Sequence, residues 1–172
     1  VVKSGKKWIY VLYLHHKSNA SNMLEMIGVY ECKVDNKGRV MLPGALKSQL
    51  EPVVSDGFII KRSIFQQCLE IFPKAEWDEA VKGINKLNRY TQKNTDFIRV
   101  FMAGVKELIP DSTGRILIPK DLTQYAGLTK DIVLASALNI IEVWDKDKYE
   151  AKIAESQINF SQLAEEVMGQ MD

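Results

Sequence analysis

The chain has 172 residues, 46% of them hydrophobic and 26% charged, with a formal net charge of +1. This is the profile of an ordinary globular protein of one domain or two small ones. Two cysteines exclude a disulfide framework, and no CxxC pair or His-rich tract supports a zinc site, so Cys32 and Cys68, each in an apolar run, are expected as buried free thiols.

The first 25 residues have a character of their own. Lys6 and Lys7 precede an apolar run at 8–14, followed by His15, His16 and a small polar stretch at 18–21. That is the outline of a short secretory signal, its apolar part at the lower limit of length and far too short to span a bilayer. The chain opens on valine, and Met23 and Met26 lie just upstream of the first strand-like run. Residues 1–25 are therefore expected to be a leader before the protein proper, which begins at one of these methionines.

From residue 26 to 73 the pattern predicts a strand at 27–34, a turn, a short strand at 39–42 and a short helix at 43–50. Pro43 suits the first turn of that helix. Strands at 58–61 and 69–72 follow, joined by a hairpin loop at 63–67. Residues 74–103 read as connecting helices, with Trp77, Val81, Ile84 and Leu87, then Ile98, Phe101, Met102 and Val105, at helical spacing. A second half at 104–145 repeats the order of the first: a lead-in strand at 104–109, a turn, a strand at 115–118, a helix at 119–125 and a hairpin of strands at 132–135 and 140–144. Residues 146–172 form a C-terminal helix and acidic tail with a weaker stripe at Tyr149, Ile153, Leu163 and Val167.

The two halves share one device. Val34-Asp35-Asn36-Lys37-Gly38-Arg39-Val40-Met41-Leu42-Pro43 is echoed, 76 positions later, by Pro110-Asp111-Ser112-Thr113-Gly114-Arg115-Ile116-Leu117-Ile118-Pro119. An internal repeat means one small unit used twice. Asp at the first and Gly at the fourth position mark a type I turn. Too small to bury its own apolar face, each unit is expected to pack against its twin.

Turn formation explains the aspartate and glycine, but gives no reason for an arginine after the glycine in both copies. A guanidinium is a planar fork of donors suited to phosphate oxygens or to the O6/N7 edge of guanine. A nearby carboxylate can hold that fork in place, and Gly38 and Gly114 let the backbone approach a partner closely. Lys33, Lys37 and Lys47 lie near the first copy, in a segment (31–62) with six basic residues against four acids. From Asp145 onward the balance reverses, with seven acids against three lysines.

Catalytic chemistry finds no footing. His15 and His16 are the only histidines, and both lie in the expected leader. The chain has no GxSxG, GxxxxGK[ST] or HExxH motif, and no GxGxxG between a strand and a helix. Asp35 and Asp111 are the only repeated carboxylate pair, each four residues from a neutralising arginine. A non-enzyme without cofactor, metal or small-molecule ligand is expected.

The doubled Asp-x-x-x-Arg motif, the opening Met26-Ile27-Gly28-Val29-Tyr30 and the segment Gly114-Arg115-Ile116-Leu117-Ile118-Pro119 resemble the MraZ family of bacterial transcriptional regulators, in the AbrB-like, swapped-hairpin superfamily. The match covers most of 26–149, and the leader has no counterpart in it. The resemblance implies an α+β fold in which two homologous AbrB-like βαββ halves form one pseudo-dimeric β-barrel flanked by helices. It also implies a homo-oligomeric ring that binds tandem, short, G-rich boxes of double-stranded promoter DNA and represses its own division and cell-wall operon, in the cytoplasm at the nucleoid. Carried onto this chain, Asp35, Arg39, Asp111 and Arg115 face DNA with Gly38 and Gly114 beside them, while Lys33, Lys37 and Lys47 add phosphate contacts. Because Thr113 stands where the first copy has Lys37, the first loop is expected to contribute more. Two other readings remain open: an AbrB-like antitoxin-type module that meets a protein through its C-terminal helix, and a secreted or envelope structural protein, as the leader would suggest.

Overall fold

A computed structural model describes residues 24–169; residues 1–23 of the expected leader, with both histidines and Met23, lie outside the described residues. The first half contains β1 (Val29–Lys33), β2 (Arg39–Met41), α1 (Gly44–Leu50), a 3-10 turn (Val54–Asp56), β3 (Phe58–Arg62) and β4 (Leu69–Pro73). Two connecting helices follow, α2 (Lys74–Asn85) and α3 (Gln92–Phe101). The second half runs through β5 (Lys106–Leu108), β6 (Arg115–Leu117), α4 (Lys120–Ala126), β7 (Asp131–Ala137) and β8 (Ile140–Asp145), and the chain continues into α5 (Lys146–Ile158) and α6 (Phe160–Met168). The lead-in strands are shorter at both ends than the apolar runs implied, although the Met26 N–H to Leu138 O and Ser136 N–H to Gly28 O bonds continue the pairing with the β7 hairpin before β1.

The strands do not stay within their own halves. One six-stranded antiparallel sheet has the order β1-β7-β8-β4-β3-β5, and β2 pairs with β6 in a separate two-stranded ribbon. Thus the first strand of each half joins the hairpin of the other, β1 on β7 and β5 on β3. The two remaining inter-half pairings bring equivalent positions face to face: Val40 opposite Ile116 in the ribbon, and Glu70 opposite Glu142 between β4 and β8. A local two-fold axis passes through both points.

A closed barrel was expected from the resemblance, and the strand ladder does not close. β1 and β5 remain edges of the sheet, and the ribbon spans the gap between them. The Val34–Val40 bridge ties it to β1, while the Asp111 N–H to Arg115 O bond joins β6 to the chain leaving β5. The physical cause is the pair of tight turns after β1 and β5, which redirect the chain before the ladder can continue. The α+β class and the doubled architecture hold.

One apolar core fills the interior, drawing on both halves in alternation along the strands. Val40, Leu46, Leu69 and Ile71 meet Ile116, Leu122, Ile132, Leu134 and Val143 there, all essentially sealed from water. The short helices α1 and α4 contribute Leu46 and Leu50, and Leu122 and Ala126. Truncating such a residue to alanine typically costs about 2–5 kcal/mol.

The outer face of the sheet is covered differently in each half. α2 and α3 fold back onto Ile59 and Phe72, with Trp77 edge-on to Phe72 at 5.6 Å and stacked on Phe101 at 5.7 Å. In the second half α5 lays Tyr149 against Trp144 at 6.1 Å, over Cys68 and Val133, but α6 leaves Phe160, Leu163, Val167 and Met168 exposed. Between the two coverings lies a buried polar strip. Lys61 Nζ sits 3.1 Å from Glu70 Oε2 and 4.9 Å from the Phe101 ring centre. Glu142 has no such lysine, because Ala135 stands across the ladder from it where Lys61 stands across from Glu70. Burial pushes its carboxyl above the ordinary range, while Trp144 Nε1–H donates to it at 2.8 Å. Cys68 is a buried free thiol; Cys32, on the edge strand, is only half-buried.

Candidate functional site

Both repeated turns are three-residue hairpin loops in which a type I turn runs into a left-handed glycine. In the first, Asp35 N–H donates to Arg39 O at 2.8 Å and Gly38 N–H to Asp35 O at 2.9 Å. In the second, Asp111 N–H donates to Arg115 O, and Gly114 N–H to Asp111 O, both at 2.8 Å. Gly38 and Gly114 have φ of +81° and +82°, a region that disfavours any residue with a Cβ. The glycines are thus required by the turn, a stronger reason than the close approach of a partner.

Each aspartate does two things at once. Asp35 Oδ1 accepts from the Lys37 and Arg39 backbone N–H groups at 2.8 and 2.9 Å, and Oδ2 accepts from Arg39 Nε–H at 2.8 Å. Arg39 Nη2 approaches the same oxygen to 2.7 Å. Asp111 repeats this with the backbone of Thr113 and Arg115 at 2.9 and 3.0 Å and with Arg115 Nε–H at 2.9 Å. The Thr113 hydroxyl adds a further bond at 2.6 Å. Thr113 therefore supplies the turn with a hydrogen bond where Lys37 supplies a charge. The backbone and side-chain hydrogen bonds from Arg39 hold the Asp35 carboxyl down to about 2. In Asp111 the Thr113 hydroxyl and the Arg115 backbone lead the same depression. Both carboxylates are ionised at any physiological pH, so each arginine keeps its anchor.

The ribbon holds the two loops at its opposite ends, each beside the end of the other strand. Gly38 O accepts from Ile118 N–H at 3.0 Å and Gly114 O from Leu42 N–H at 3.1 Å. Period-two alternation turns Val40 and Ile116 inward and leaves Arg39, Met41, Arg115 and Leu117 on the outward face. The ladder pairs Arg39 with Leu117 and Met41 with Arg115. The arginine side chains remain 30% and 33% exposed, accessible to a partner and not sealed inside the sheet. Met41 and Leu117 are 52% and 54% exposed. Neither residue was among those expected to face a partner, although the alternation Arg-Val-Met and Arg-Ile-Leu carried the signal.

Each loop is completed by the other half. Leu117 Cδ1 would lie 3.7 Å from a Cβ at position 38, and the Lys47 ammonium 2.9 Å from one at position 114. Lys47, from α1 of the first half, thus lies over the second loop and buries Gly114. Each loop carries one lysine, Lys37 or Lys47, which removes the difference in basicity expected between them. Lys33 stands apart on the β1–β7 ladder, ion-paired with Asp131 at 2.6 Å. Among the described residues no group of His, Cys, Asp and Glu could hold a metal ion, and no helix is long and apolar enough to cross a membrane.

A family model described as "MraZ protein, putative antitoxin-like" matches twice, over residues 26–100 and 101–170. The protein named transcriptional regulator MraZ from Christiangramia forsetii is 58% identical over 150 residues, spanning 87% of this chain and 97% of that relative. Its namesake from Flavobacterium psychrophilum is 58% identical over 150 residues, spanning 87% and 96%, and that from Cytophaga hutchinsonii 34% identical over 141 residues, spanning 82% and 93%. These relatives are named as regulators rather than enzymes. With both halves matched by the family model and the relatives aligned nearly end to end, the chain belongs to the MraZ family.

Proposed function

We propose that this protein is a sequence-specific, double-stranded DNA-binding transcriptional regulator. It represses its own division and cell-wall operon by binding tandem short promoter boxes as a ring, in the cytoplasm at the nucleoid. The observation that carries this reading is the pair of aspartate-anchored, accessible arginines displayed by one ribbon about a local two-fold axis. Arg39 and Arg115 read base edges, Asp35 and Asp111 orient them, and Lys37 and Lys47 neutralise phosphates. Lys33, ion-paired with Asp131, is the weakest of the proposed phosphate contacts. A single subunit offers few cations, so affinity comes from linking subunits over repeated boxes. The exposed apolar side chains of α6 support contacts between subunits.

The test is a gel shift with the DNA upstream of the chain's own gene, comparing wild type with Arg39→Ala and Arg115→Ala across a salt series. Each variant should bind on the order of 10- to 100-fold more weakly. Unchanged binding in both would refute the assignment. The exposed face of α6 also favours a second reading, an antitoxin-like module whose main partner is a protein. Stable co-purification of a toxin-like protein encoded next door, lost on charging Leu163 and Val167, would favour it.

A further inference from the structure

We propose that Met41 and Leu117 are specificity residues that read thymine 5-methyl groups in the major groove. The inference rests on the DNA-binding reading above and names what the arginines alone leave unread. Of the residues alternating along β2 and β6, Val40 and Ile116 already supply the core contact. Met41 and Leu117 point the other way, and folding gains little from two large apolar side chains left about half in water.

Their neighbours identify the partner. Each lies directly across the ladder from an arginine, Leu117 from Arg39 and Met41 from Arg115, and Lys47 extends over the adjoining loop. A surface that alternates forked donors with apolar tips, framed by cations, complements one that alternates acceptors with methyl groups, framed by phosphates. The major groove is such a surface, with acceptors at guanine O6/N7 and a methyl at thymine C5. A two-stranded ribbon also fits its width. Cross-strand neighbours lie roughly 5 Å apart, so an arginine and its apolar partner span about one to two base steps of roughly 3.4 Å. Each half-site would then hold a thymine within a step or two of the guanine its arginine reads.

The experiment uses the full chain and one DNA fragment from upstream of its gene, prepared once with thymine and once with deoxyuridine in every thymine position. The exchange removes only the methyl groups. Wild type should bind the uridine duplex at least roughly fourfold more weakly, the factor expected for one lost methyl contact. A Met41→Ala/Leu117→Ala double variant, checked for an unchanged melting temperature, should bind both duplexes alike, with about the wild-type affinity for the uridine one. Equal wild-type affinity for the two duplexes overturns the inference and leaves the DNA-binding reading standing. An equal loss in wild type and double variant also overturns it, because the methyls would then act through DNA shape or another side chain. Failure of wild type to bind the thymine duplex refutes the underlying function and the inference with it.

Discussion

Replacing Lys61 by methionine should be among the most damaging single changes in this molecule. Lys61 is fully buried, its ammonium 3.1 Å from Glu70 and over the face of Phe101. Glu142 lies directly opposite Glu70 in the β4–β8 ladder. Without the ammonium, a buried carboxylate would face a second carboxylate with no cation between them. Breaking one side of such a pair costs about 3–5 kcal/mol, which at this size lowers the melting temperature by roughly 6–20 °C. Removing both charges, as Lys61→Met with Glu70→Met, should recover most of the loss, since apolar replacements of buried pairs are often neutral or stabilising. Scanning calorimetry of the three proteins at one fixed concentration, which holds any assembly term constant, reads the result. A Lys61→Met protein that melts within about 2 °C of wild type, or a double variant no better than the single one, would refute the reasoning.

Further predictions concern the loops. Gly38→Ala and Gly114→Ala each force a Cβ into left-handed backbone and should cost about 1–2 kcal/mol, read as a lower urea midpoint without a change in slope. Asp35→Asn tests the anchor through pH. The folded carboxyl is depressed to about 2 from an ordinary 3.8, so its stabilisation is complete above the ordinary value and lost as pH falls toward the folded one. The melting temperatures of wild type and Asp35→Asn should therefore differ by a constant amount at neutral pH and converge as the pH drops from about 4 to about 2; a gap that persists at the acid end would contradict this. On the proposed function, Lys47→Ala should weaken binding to all DNA sequences and reduce the slope of log affinity against log salt by about 0.9, whereas an unchanged slope would remove Lys47 from the interface.

Much of this protein follows from local chemistry and was legible in the chain itself. The Asp-x-x-Gly turns, the prolines before the short helices and the hairpins at 58–73 and 131–145 depend on contacts a few residues apart. Sequence was enough to single out Asp35, Arg39, Asp111 and Arg115, because the repeat displays the anchor and its arginine together. What tertiary structure decided is every pairing between distant segments. Nothing in β1 announces that it will leave its own half for β7, since an edge strand's partner is set by the shared core and not by its neighbours in sequence. The same exchange brings Lys47 to the second loop, Leu117 to the first and Glu142 opposite Glu70. Alternation along a strand tells which side chains share a face, but which face meets water depends on the segment packed against it.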